Sequence, residues 1–203
     1  MKQQTTYDTK KAEEGLGIFL NALGFDWQND PHMIKTPHRV TKAWIEDFAK
    51  GHFESPPNIT AFPNDEGYDG MVCQTNIPVV SMCQHHLAPF FGYAHVAYLP
   101  TPEGKVIGLS KLNRIVDYFS RRPQVQESLT SQVHEFVNDA CKNNLGVAVM
   151  IEANHTCCSL RGIKQNSTMR TAKMTGAFRE PDNNSRNEFY KFIEFAQNSR
   201  SVL

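Results

Sequence analysis

Two clusters of cysteine and histidine, Cys83-Gln84-His85-His86 and His155-Thr156-Cys157-Cys158, stand about seventy residues apart. Each closes a segment with the composition of a β-strand. Any fold in which the two meet must carry the chain back over that distance onto a neighbouring strand. A thiolate and an imidazole three residues apart, joined by a distant thiolate, suit zinc, which takes Cys sulfur and His nitrogen in tetrahedral geometry. Cys83, His86 and Cys157 are the assigned ligands. Three protein ligands leave a fourth position for water, and zinc acidifies such a water enough to make it a nucleophile near neutral pH. The alternative is a closed structural site completed by Cys158 or His155. Two points weigh against it. Cys157 and Cys158 point to opposite faces if the strand runs on through them. The surplus histidines, His85 and His155, also suit proton transfer beside a metal.

The residues around the clusters set the fold class. Leu16, Phe19, Leu20 and Leu23 recur at helical spacing before Gly24, and a second helix opens with Thr36 as N-cap and Pro37 at its first position, ending before Gly51. Residues 54–70 are rich in Pro, Asn, Asp and Gly and read as a loop. Strands are predicted at Asn76–Val80, Tyr93–Leu99 and residues 146–153. Two amphipathic helices are marked by Leu112, Ile115, Val116 and Phe119, and by Leu129, Val133, Phe136 and Val137; Phe189, Phe192, Ile193 and Ala196 mark a helical C-terminal stretch. The expected architecture is α+β: a helical part over residues 1–53, a connecting loop over 54–70, and an antiparallel sheet with helices on one face over 71–203. Such a sheet has edges to protect, and pairing between subunits is one way to do so.

A chain of 203 residues, 40% hydrophobic, can bury one sizeable core. Lys+Arg and Asp+Glu each total 21, so no global charge points to nucleic acid or to an anionic membrane, and any phosphate site must be a local cluster. The polar start MKQQTTYDTKKAEE lacks the apolar core of a secretory signal and no run has the length of a membrane span. A soluble cytoplasmic protein is expected. Five cysteines do not read as a disulfide framework here; Cys73 and Cys141 read as ordinary buried or half-buried thiols.

Ser110 is placed at a helix N-cap, where free backbone N–H groups favour an anion, with Lys111 and Arg114 on the same turn. The plain alternative is a solvated helix start. Arg161, Arg39 and Lys42 add to a phosphate site only if the fold gathers them. Glu127 in a first helical turn is ordinary on dipole grounds. It is also able to accept both the N1–H and the exocyclic amine of a guanine, with Gln126 reading the carbonyl edge.

The segments SMCQHHLAPFFGYAHVAYLP, VIGLSKLNRIVDYFSRRPQVQESLT and GVAVMIEANHTCCSLRG, together with TPHRVTKAW and the stretches around Gly176–Phe178 and Arg186–Phe189, resemble successive signatures of the GTP cyclohydrolase I family over roughly residues 12–195. The resemblance implies zinc on Cys83, His86 and Cys157, and proton transfer by His85 and His155. It implies that Ser110, Lys111, Arg114 and Arg161 bind triphosphate or ribose, that Arg39 and Lys42 reach in from a neighbouring subunit, and that Gln126 and Glu127 recognise the guanine of GTP. The implied fold is a T-fold whose sheets join between subunits into a barrel, with two pentamers stacked into a decamer. The implied product is 7,8-dihydroneopterin triphosphate. Two residues depart from the pattern: Gln84 stands where the family has Glu, and Cys158 where a bulkier apolar residue is expected. The competing readings are a T-fold relative acting on another purine or pterin, and a non-catalytic GTP- or pterin-binding protein with structural zinc.

Overall fold

Eight consecutive residues of strand β6 (Asn144–His155), Gly146 to Ala153, are buried in the computed structural model. A strand covered on both faces has this pattern. The model describes residues 6–200, and the chain divides into two compact units, Met1–Ser55 and Pro56–Leu203.

The first unit is helical. Helix α1 (Thr9–Ala22) is capped by the Asp8 side chain, which accepts from the Lys11 backbone N–H at 3.0 Å, and Gly24 follows with φ of +80°. Helix α2 (Thr36–Ala43) carries Pro37 in its first turn, but the cap is Lys35, whose carbonyl accepts from Arg39 at 2.9 Å, and not Thr36. Gly51 is no stop either. The helix widens by one residue per turn at Trp44–Phe48, where Ala49 donates to the Trp44 carbonyl, and a last turn, α3 (Lys50–Phe53), includes Gly51.

The second unit is built on a five-stranded sheet. Its strands are β2 (Val72–Cys83), β3 (Ala88–Pro100), β5 (Pro123–Gln124), β6 and β7 (Thr168–Met174), in the order β5-β2-β3-β6-β7. All neighbours are antiparallel except the short β5, which runs parallel to the end of β2. Strands β1 (Ala61–Pro63), inside the expected loop, and β4 (Lys105–Ile107) form a separate pair. Helices α4 (Leu109–Ser120) and α5 (Gln126–Ala140) link β4 to β5 and β5 to β6.

Alternation along β6 sorts its side chains into two cores. Val147, Val149, Ile151 and Ala153 join Leu112, Ile115, Val116, Leu129, Val133 and Val137 of α4 and α5. Ala148 and Met150 join Phe178, Phe189 and Ile193, the last two from helix α7 (Ser185–Arg200). Helices therefore cover both faces, and the expectation of one helical face holds only for α4 and α5. No helix among the described residues is long and apolar enough to cross a membrane.

Gly92 on β3 faces Ala153 of β6 in register. A Cβ there would collide with the Glu152 carbonyl oxygen and the Ala153 Cα. Gly92→Ala is expected to cost on the order of 3 kcal/mol of unfolding free energy. Gly15→Ala, in the middle of α1 with nothing near the added methyl, is expected to gain about 0.5–1 kcal/mol; urea denaturation of both variants checks the pair.

His134 of α5 is buried with Nε2 3.1 Å from Thr175 Oγ1. Burial, and then the Lys173 charge, hold its pKa below the ordinary value. Below about pH 6.5 the unfolded chain takes up a proton that the folded one resists. The folded state therefore loses stability as pH falls from about 6.5 toward 5. His134→Gln is expected to flatten that loss, measured as urea midpoints across the range.

Candidate active site

Strand β2 ends at Cys83, and Gln84, His85, His86 and Leu87 form the exposed turn leading into β3. Leu87, at φ of 53°, donates to the Cys83 carbonyl at 2.8 Å, and the Gln84 N–H donates to the Gln124 carbonyl at 3.2 Å. The turn is thereby pinned at both ends. Cys83 itself is buried.

The second cluster reaches the same place through β6, because the β3–β6 register sets His155 opposite Phe90. Their rings stack at 4.5 Å between centroids with planes 9° apart. Beyond His155 the strand gives way to one helical turn, α6 (Thr156–Ser159). The Thr156 hydroxyl donates to the Pro89 carbonyl at 2.6 Å and fastens that turn to β3. Ligand atoms of Cys83, His155 and Cys157 all lie within 4.8 Å of one another.

Two thiols and an imidazole converging this closely are a donor set that fits a soft or borderline divalent cation. Burial first, and then the adjacent Cys83 and Cys158 thiols, push the Cys157 thiol up to about 11; neighbouring thiolates repel, and a cation between them relieves the repulsion. The His155 pKa lies below its ordinary value because of burial, opposed by the charge of Glu127.

This set differs from the sequence assignment in its imidazole. His86 is outside it, with Nε2 2.8 Å from Arg161 Nη1, while His85 Nδ1 is 3.8 Å from Cys83 Sγ. Cys157 and Cys158 occupy a helical turn, so strand alternation does not separate them; Cys157 is half-buried and Cys158 exposed.

Gln126 and Glu127 open α5 beside His155. Glu127 is exposed at the helix N-terminus. Gln126 is 1% exposed, and its carboxamide is taken up by His155 Nε2 at 2.9 Å, the Ile151 carbonyl at 3.0 Å and Thr171 Oγ1 at 3.1 Å. Its side chain is turned inward, away from the surface on which a guanine contact was expected. Nothing in the sequence distinguished it from an ordinary helix-start glutamine.

The predicted cations of the second unit do not all gather at this end. Arg161 does reach the site, through His86. Helix α4 ends beside Cys83: Phe119 accepts from Gln124, which is paired with Cys83. Its start follows Ile107, which donates to the Tyr98 hydroxyl at 2.9 Å. From Phe90 to Tyr98 is roughly 26 Å of strand, so Ser110 and Lys111, on the first turn of α4, stand toward the opposite end of the sheet, and Arg114 lies midway along the helix. The α4 cap is Gly108 and not Ser110, which lies exposed within the first turn. Arg39 and Lys42 are exposed on α2 of the first unit, Lys42 lying 3.7 Å from Glu46.

Residues 12–194 match the family model described as GTP cyclohydrolase I. The chain is 41% identical over 188 residues to a GTP cyclohydrolase 1 of Streptomyces avermitilis, covering 92% of this chain and 91% of that one. It is 47% identical over 176 residues to a GTP cyclohydrolase 1 of Coxiella burnetii, covering 86% and 92%. A crystal structure of an archaeosine synthase QueF-Like in the apo form superposes with a TM-score of 0.40 and 18% identity, over 52% of this chain and 95% of that one; this likeness is too slight to build on.

If Cys83 and Cys157 supply the sulfur donors, Cys83→Ser and Cys157→Ser each lower bound metal from about one ion per subunit to well under half, because each removes one of few ligands. Metal analysis of dialysed protein gives the measurement, with circular dichroism confirming that the variants are folded.

Proposed function

The chain belongs to the GTP cyclohydrolase I family, and from that premise we propose that it hydrolyses the imidazole ring of GTP, releases formate and forms 7,8-dihydroneopterin triphosphate in the cytoplasm. The observation that carries this reading is the Cys83, His155 and Cys157 cluster beside the exposed Glu127 at the start of α5. Zinc is the proposed metal, on Cys83, Cys157 and His86. Arg161 donates to His86 Nε2, and the lone pair that accepts this hydrogen bond is the one that would serve a cation with Arg161 turned to substrate. When bound, the ion supplies Lewis acidity to a water molecule.

The chain's own residues do the rest. Glu127 accepts the N1–H and the amine of guanine, and so orients C8 toward the cluster. His155, held flat against Phe90, and His85 carry protons to and from the imidazole ring of the substrate as water adds at C8 and the C8–N9 bond opens. A second hydrolysis frees C8 as formate. Rearrangement of the ribose carbons and ring closure with loss of water follow, so that one water is consumed overall.

Arg161 is suited to the triphosphate. Ser110 and Lys111 stand a strand's length away in the same chain and Arg114 midway along α4; in this reading all three come to the site from another copy, as do Arg39 and Lys42. This supports a T-fold assembly with sites between subunits, in which the exposed edge strand β7 pairs with a neighbour. A decamer of two pentamers is the proposed form.

The deciding experiment is incubation of the purified protein with GTP, with the fluorescent pterin measured after oxidation and formate measured alongside; absence of both products refutes the reading. Glu127→Gln replaces one of two acceptors with a donor. It is expected to reduce the preference for GTP over ATP by at least about tenfold, while competition by inorganic triphosphate stays within about twofold. Competition binding with the three ligands checks this.

A further inference from the structure

Gln126 is held so that its two ends cannot exchange. Its Nε2 faces the Ile151 carbonyl at 3.0 Å, the Met169 carbonyl at 3.2 Å and Thr171 Oγ1 at 3.1 Å. Carbonyl oxygens only accept, so the amide NH2 must point at them, and a flipped amide would set its own oxygen against two others. The Thr171 hydroxyl is held in turn by Thr130 Oγ1 at 2.6 Å, and Thr130 is within 2.9 Å of the Gln126 carbonyl. The network fastens the first turn of α5 to β6 and β7.

With the NH2 end fixed, Oε1 is left to face His155 Nε2 at 2.9 Å. An amide oxygen is an acceptor, so a neutral His155 must carry its proton on Nε2. Phe90 stacks on the same ring and fixes its plane. Ring plane, ring rotation and proton position are thus set by two buried residues, neither of which needs to touch substrate.

We propose that Gln126 is a positioning residue that fixes the rotation of the His155 ring and locks it in the Nε2–H tautomer, so that the ring turns Nδ1, and not Nε2, away from α5. The role rests on the reading of His155 as a residue of the active site. Orienting partners of this kind typically affect function 10–100-fold when removed.

The direct test is magic-angle-spinning NMR of zinc-loaded protein carrying 15N-labelled histidine, with the His155 signal identified by its loss in His155→Gln. A protonated Nε2 beside a bare Nδ1 supports the lock, and a protonated Nδ1 with bare Nε2 overturns it, whatever the activity. Kinetics of Gln126→Met, which keeps the volume, give a second arm. The expected result is a kcat about 10–100-fold lower, with KM for GTP and the GTP-over-ATP preference each within about twofold. A raised KM with lost base preference and unchanged kcat would instead make Gln126 a guanine reader and overturn the proposal. Should Gln126→Met not fold, the NMR arm on the unaltered protein decides alone. If His155→Gln keeps full kcat, the proton-transfer reading falls while the tautomer result still stands on its spectrum.

Discussion

The pairing of β3 with β6 is the constraint from which the rest follows. One register sets Phe90 against His155 and Gly92 against Ala153. It thereby brings the turn after β2 and the turn after β6 to one end of the sheet. The same alternation that sends Val147, Val149 and Ile151 toward α4 and α5 sends Ala148 and Met150 toward α7. A slip of one residue would exchange these sets and draw the two sulfurs apart. Core and site are therefore specified by one choice of partner.

The layout of α4 accounts for the division of labour along the sheet. Its 12 residues span about 18 Å, so a helix that ends beside Cys83 must begin far from it. The basic first turn and the thiol cluster then occupy opposite ends of a single subunit, and a nucleotide bound at one end of a sheet meets the other end's residues only where two sheets adjoin.

Much of this was legible beforehand. Periodicity located α1, α4, α5 and the body of β6, since apolar spacing at 3.6 or 2 residues reflects burial directly. The Cys/His spacing identified both sulfurs of the cluster. What escaped was whatever depended on tertiary neighbours. β7 is exposed along most of its length and gives no apolar alternation, while β5 has two residues and exists only because β2 lies beside it. The end of β6 at His155 was hidden because Thr156–Ser159 carries no helix signal of its own, and with it the true setting of Cys157 and Cys158. Gln126 escaped for a related reason. Its partners, Ile151, Met169 and Thr171, come from two other strands, and no local pattern announces a buried amide.

The two segments that carry the sulfurs, the end of β2 and the helical turn after β6, have α4 and α5 between them in the chain, and this imposes an order of events on a growing chain. At roughly 5–20 residues per second, Cys157 follows Cys83 out of the ribosome by several seconds. During that interval the first thiol has β2 and β3 around it but neither β6 nor α6, and the closure of so distant a contact is the slow, entropically opposed part of folding such a topology. A metal ion arriving early would meet Cys83 without Cys157. The cluster is thus completed late, and its completion reports that β6 has docked on β3.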